Sequence, residues 1–162
     1  MERGAKLTDI QKCTACACFN LRKATRAITQ VYDDAMRPCG LRATQFSILG
    51  VLALAGPSTI SNMSHFLVMD RTTLARNLKP LEKQGLISIA KGKDKRTRCV
   101  SLTQKGAGLI RKALPMWEKA QNMVIEKMGE DRWQMTLESL LLIPSLFPIE
   151  TGGASAGSGM EE

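Results

Sequence analysis

The sequence predicts a mainly α-helical chain with one small β-hairpin set among its helices, and three observations carry that expectation. Apolar residues recur at helical spacing over most of the chain, as in Ala17, Leu21, Ala24, Ile28, Val31 and Ala35, which step by four and three in alternation. Two runs, "LISIA" and "TRCVSL", instead alternate apolar and polar residues as half-buried strands do. Glycine and proline at Pro38, Gly40, Gly56, Pro57 and Gly85 cut the first half into one long and several short pieces.

The elements follow in order. Thr8 and Asp9 are candidate caps for a long first helix that holds Cys13, Cys16 and Cys18, and its apolar seam calls for another helix against it. "ATQFSILGVLALAG" is a short buried helix closed by Gly56-Pro57. "STISNMSHFL" is a third helix capped by Ser58 or Thr59, and "MDRTTLARNLKPLEKQG" a fourth, capped by Asp70 and stopped by Gly85. Pro80 removes a backbone donor inside that fourth helix and should bend its second half. After the strands, Thr103 caps a long helix whose apolar side includes Ile110, Leu114, Trp117, Val124 and Met128, with a kink expected at Pro115. The last helix, "EDRWQMTLESLLLIPSLF", is rich enough in leucine to be largely buried, whereas "TGGASAGSGMEE" is a small-residue tail that cannot pack and is expected to be disordered.

This layout is a winged helix-turn-helix flanked at both ends by long helices, whose unpartnered apolar seam and leucine-rich end make them candidate dimerisation helices. The divisions are an N-terminal dimerisation helix over 1–40, a DNA-binding lobe with a small β-wing over 41–102, C-terminal dimerisation helices over 103–148 and the tail over 149–162.

Charge points to the partner. The chain of 162 residues carries a formal net charge of +8. Residues 71–105 hold ten Lys or Arg against Glu82 and Asp94, and the rest balances at thirteen of each sign. One contiguous stretch thus carries the whole excess, the footprint of a nucleic-acid-binding face. No apolar run opens the sequence as a signal peptide would, and the uncharged stretch 43–69 has a continuous apolar core of only eleven residues, short of the roughly twenty a membrane span needs. Five cysteines without an export signal indicate free thiols in a reducing cytoplasm.

The DNA-reading constellation lies on the fourth helix. If Leu74, Leu78 and Leu81 face the core, then Arg71, Thr72, Thr73, Arg76, Asn77 and Lys79 are left for a major groove, where arginine bonds guanine, asparagine adenine, and threonine offers a hydroxyl and a methyl. The basic hairpin then gains a purpose. Arg96 is placed to probe the adjacent minor groove with Asp94 orienting its guanidinium, while Lys91, Lys93, Lys95 and Arg98 add salt-dependent affinity for phosphates.

These residues resemble a known family. "MDRTTLARNLKPLEKQGLI", the Asp94-x-Arg96 of the wing and the following "VSLTQKG" look like the MarR family of bacterial winged-helix regulators, over about residues 10–147. The resemblance implies a homodimer that binds double-stranded DNA at a pseudo-palindromic operator, acts as a repressor, and holds any small-molecule effector between the DNA-binding lobe and the dimer helices. Ser88-Ile89-Ala90 departs from it where the family often carries a basic residue.

"CTACACF" offers a second trigger. Cys18-Phe19 resembles the reactive Cys-Phe of the family's organic hydroperoxide sensors, and Tyr32 matches the tyrosine fourteen residues on that helps hold the thiolate. Arg22, one turn after Cys18, would favour that thiolate, although it stands where those sensors carry a second tyrosine. The plain alternative is that these small thiols fill helix-packing positions. Zinc is not expected, because a closed site needs four ligands and only Cys39 and His65 offer themselves at a distance. No cofactor is expected, and no catalytic residues either: there is one histidine, no phosphate-cradling glycine loop and no nucleophile-base set. A sequence-independent architectural DNA binder is the rival reading from another class.

Overall fold

The computed structural model describes residues 12–92 and 97–148. The candidate caps Thr8 and Asp9, the wing-tip residues Lys93, Asp94, Lys95 and Arg96, and the tail over 149–162 lie outside the described residues.

A 3₁₀ turn over Lys12–Ala15 leads into α1, Ala17–Met36. The first helix therefore starts later than the sequence suggested: Cys13 lies in the turn, Cys16 is the extended N-cap, and Cys18 sits in the first helical turn. Asn20 explains the break, since its side-chain amide donates to the carbonyls of Thr14 and Cys16 at 2.8 and 2.9 Å and so competes with a continuous ladder. α1 ends in a turn through Pro38 closed by Gly40 at φ +71°. Next, α2 (Ala43–Ala55) buries Ile48, Leu49 and Leu52, and Asp33 of α1 accepts the Ala43 amide at 2.7 Å to satisfy its first turn.

Ser58–Thr59 forms β1, and α3 (Ile60–Phe66) follows with Thr59 as its cap, accepting from the Asn62 amide at 3.1 Å. The turn out of α3 places Val68 at φ +52°. A β-branched residue there costs roughly 1–2 kcal/mol relative to the right-handed region. Hydrogen bonds from the Leu67, Val68 and Met69 amides to Met63, His65 and Ser64 hold it in place. α4 then runs Arg71–Lys83 and continues helically through Pro80, and Gly85 at φ +69° turns the chain into the sheet.

β2 (Ile87–Lys91) and β3 (Arg98–Leu102) pair antiparallel, with Ile89 opposite Val100 and Lys91 opposite Arg98. The expected two-stranded hairpin is in fact a three-stranded sheet in the order β1-β3-β2, because Ser58 and Thr59 pair with Val100 and Cys99. A two-residue strand carries no periodicity, so nothing local announces it. Thr103 caps α5 (Gln104–Met128), accepting from the Gly106 amide at 3.0 Å, and α6 (Glu130–Leu146) follows Gly129.

One core joins these pieces. Met36 of α1, Ile48, Leu49 and Leu52 of α2, Leu74, Leu78 and Leu81 of α4, Val100 of β3 and Ala113 of α5 are all at most 2% exposed. α5 runs unbroken through Pro115 and buries small residues, Ala113 and Ala120, whereas Leu114 on its expected apolar side is exposed. α6 overturns a sequence expectation. None of its residues is buried, and Leu140, Leu141, Leu142 and Leu146 stand exposed, because none of the described residues covers them.

Candidate nucleic-acid interface

The surface is set by which side of α4 is committed to the core. Leu74, Leu78 and Leu81 fix that side, each worth about 1.5–3 kcal/mol of burial. At about 3.6 residues per turn the opposite stripe falls to Thr72, Arg76, Lys79 and Lys83, all exposed. Arg71 is exposed at the first helical position. Thr73 and Asn77 are half-buried on the flank, and the Asn77 amide is turned toward the sulfur of Met69 at 4.0 Å.

Asp70 starts the helix. Its carboxylate accepts from the Thr73 amide at 2.8 Å, and the Thr73 side chain and backbone together hold its pKa below the ordinary 3.8. A carboxyl with a depressed folded pKa contributes stability above its unfolded value and loses it as pH falls through the folded one. Asp70→Ala is therefore expected to lower the thermal midpoint at neutral pH, with the difference from the parent protein shrinking as pH drops below 3.8. A gap that stayed constant through that range would contradict the assignment.

Thr72, Arg76 and Lys79 meet Arg98 of β3 along one open groove of about 410 Å³, floored by Ile60, Ala75, Leu78 and Ile89. Across the ladder Lys91 lies directly opposite Arg98, a like-charge pairing that works against the sheet. Two cations held face to face in this way gain when a polyanion arrives. Glu82 also lines the groove and was not singled out from sequence, although its position three residues after Lys79 was the available signal.

The candidate redox residues are distributed differently. Cys13, Cys16 and Cys18 are all exposed, and so is Arg22. Cys18 and Tyr32 share α1 and lie fourteen residues apart, which separates them by about 21 Å within one protomer. Burial pushes the Tyr32 phenol up from 10.0, and its hydroxyl donates to Oε1 of Gln121 on α5, a partner that sequence alone did not indicate. Tyr32 also lines a cavity of about 210 Å³ between α1, α2 and α5, together with Thr29, Ser47, Phe46 and Trp117. The Phe46 and Trp117 rings stack there with centroids 6.1 Å apart. Among the described residues, no group of three or more His, Cys, Asp or Glu is arranged to hold a metal ion, and no single helix is long and apolar enough to cross a membrane.

Comparison with known proteins agrees with this geometry. Residues 41–106 match the family described as a winged helix DNA-binding domain. The transcriptional regulator MosR of M. tuberculosis, solved in complex with DNA, is 36% identical, with a TM-score of 0.73 over 83% of this chain and 99% of that one. The organic hydroperoxide resistance transcriptional regulator of Bacillus subtilis is 33% identical over 98 residues, 60% of this chain and 67% of its own length. A further curated relative, an HTH-type transcriptional regulator from the same organism, is matched over only 62% of its length. A mutant of E. coli MarR, solved with operator DNA, is 20% identical and shares the fold, with a TM-score of 0.73 over 89% of this chain and the whole of that one. The chain belongs to the MarR family of winged helix-turn-helix transcriptional regulators.

Proposed function

We propose that the protein is a homodimeric repressor that places α4 of each protomer in a major groove of a pseudo-palindromic operator and is released by a small molecule. The observation that carries the reading is the convergence of Thr72, Arg76, Lys79 and Arg98 on one groove between the helix and the wing. Guanidinium and hydroxyl groups at its centre suit base edges, and the surrounding lysines suit phosphates. Arg71, Thr73 and Asn77 flank this set on α4, and the sequence between β2 and β3 offers Lys93, Lys95 and Arg96, with Asp94, as further candidates for DNA contact.

Dimerisation is supported by the exposed leucines of α6 and by Leu21 and Ile28 of the α1 seam, since clustered exposed apolar side chains mark interaction surfaces. Two-fold symmetry then sets the recognition helices about 34–36 Å apart, one duplex turn. The cavity beside Tyr32, Phe46 and Trp117, between α1, α2 and α5, is the proposed effector site, on the reading that α1 and α5 are dimer helices and α2 is part of the DNA-binding lobe. Work on chromosomal DNA with five free thiols fits the cytoplasm.

A second reading rests on the three exposed thiols at the start of α1 and on the similarity to the hydroperoxide resistance regulator. Here the Cys18 thiolate attacks the peroxide, alcohol leaves, and the resulting sulfenic acid loosens the dimer's grip on DNA. Tyr32 can reach Cys18 only from the partner protomer.

Selection of duplexes from a random pool tests the function directly. The expected outcome is enrichment of one two-fold-symmetric sequence, whereas uniform recovery of the pool would leave an architectural DNA binder. Adding organic hydroperoxide to the selected complex separates the two triggers. Release that thiol reductant reverses, and that Cys18→Ser abolishes, favours the thiol reading; indifference favours a ligand in the cavity.

A further inference from the structure

The recognition helix ends on α5. Three successive carbonyls at its C-terminal exit, those of Gln84, Gly85 and Leu86, are all taken up by the first turn of that helix. Lys105 Nζ donates to the Gln84 oxygen at 2.7 Å, and Thr103 Oγ1 lies 2.8 Å from the Gly85 oxygen and 3.1 Å from that of Leu86. The Thr103 amide donates to the Leu86 oxygen at 3.1 Å. Gly106 lets the two backbones meet, since a Cβ there would stand 2.1 Å from the same Leu86 oxygen.

Lys105 is the informative member. It is the second residue of α5, where the positive end of the helix dipole disfavours a cation. A lysine in that position works against its own helix, and what compensates it is the negative end of α4, whose final carbonyl its ammonium covers. Conflicts of this kind between local preference and tertiary placement are expected at functional or strained sites. α5 also walls the cavity through Trp117 and packs on α1, so the joint at 84–86 and 103–106 links the reading helix to the rest of the protomer.

We infer that Lys105 is a positioning residue for DNA recognition: by closing over the C-terminal carbonyl of α4 it fixes the angle of the recognition helix to α5 and thereby the separation of the two helices on the operator. The inference rests on the proposed DNA-binding function. Lys105 acts through α4 and does not contact a phosphate, and that distinction has a measurable consequence. A lost phosphate contact flattens the dependence of log K on log salt by about 0.9 and weakens every duplex alike. A lost positioning contact lowers affinity for the matched site only.

The test compares wild type, Lys105→Met and Lys105→Arg by fluorescence anisotropy on a duplex selected by the wild type and on a scrambled duplex, across a salt series, with thermal midpoints taken alongside. The expected result for Lys105→Met is a loss of roughly fivefold on the selected duplex, from one charge-assisted hydrogen bond at an exposed site. The salt slope and the scrambled-duplex affinity should not change, and Lys105→Arg should restore most of the loss. Equal weakening of both duplexes with a flatter slope would overturn the inference in favour of a phosphate contact, and unchanged affinity for the selected duplex would overturn it as well. Wild-type preference for the selected duplex, read in the same titrations, tests the proposed function independently of either variant.

Discussion

Gly106→Ala is expected to destabilise the protein by about 3 kcal/mol, the upper part of the range for forcing atoms into a packed site. The added methyl would stand 2.1 Å from the Leu86 carbonyl oxygen and 2.8 Å from Leu102 Cδ1, and the first of these is backbone that cannot rotate away. Relief requires α5 to lift from the exit of α4, which breaks the Thr103 and Lys105 contacts at the same joint. Gly108, two residues on in the same helix, is the matched control. A methyl added there would meet nothing within 4 Å, so Gly108→Ala should gain up to about 1 kcal/mol from helix propensity alone. Urea unfolding checks both, with a lowered midpoint at unchanged m-value for the first and a raised one for the second. Similar midpoints for the two variants would show that close approach at Gly106 does not govern the joint.

The second large effect falls on recognition. Arg76→Ala should weaken binding to the selected operator by about 1–3 kcal/mol while barely altering affinity for scrambled duplex, and it should relax the base preference at one position of each half-site. Arg76 occupies the middle of the exposed stripe of α4 and lines the groove shared with Arg98. Repeating the selection with the variant reads the relaxed position directly. If Arg76→Ala weakens both duplexes equally and flattens the salt slope, the guanidinium serves a phosphate and base readout lies elsewhere on the helix.

How much of this was legible in the sequence depends on the range of the interaction involved. The helices from α2 to α5 and the caps at Asp70 and Thr103 were readable because a cap and an apolar period are local, while the choice left between Ser58 and Thr59 falls to Thr59. The stripe formed by Leu74, Leu78 and Leu81 was readable for the same reason and set the core side of α4, although Thr73 and Asn77, expected on its outer sides, are half-buried. The pairing of Ser58 and Thr59 with β3 was not, since two residues carry no period. Nor was the late start of α1, which turns on Asn20 bonding back to Thr14 and Cys16.

The leucines of α6 misled in a different way. Their apolarity signals a buried helix, but none of the described residues covers them and they stand exposed. Within the candidate site, Arg76 and Lys79 could be named from helical spacing, yet their meeting with Arg98 follows from the register of the sheet and the packing of α4 beside it. The joint between Gln84–Leu86 and Thr103–Gly106 is illegible altogether from local pattern, because it consists of side chains and a bare backbone reaching carbonyls about twenty residues away.

The most direct measurement is the affinity of the wild-type protein for its selected duplex and for a scrambled one, titrated by fluorescence anisotropy from low to physiological salt. A dimer that reads bases through α4 should prefer the selected duplex by about 10³-fold or more at physiological salt while both affinities fall steeply as salt rises. Equal affinity for the two duplexes at every salt concentration would contradict the account, leaving a basic surface that holds DNA without reading it.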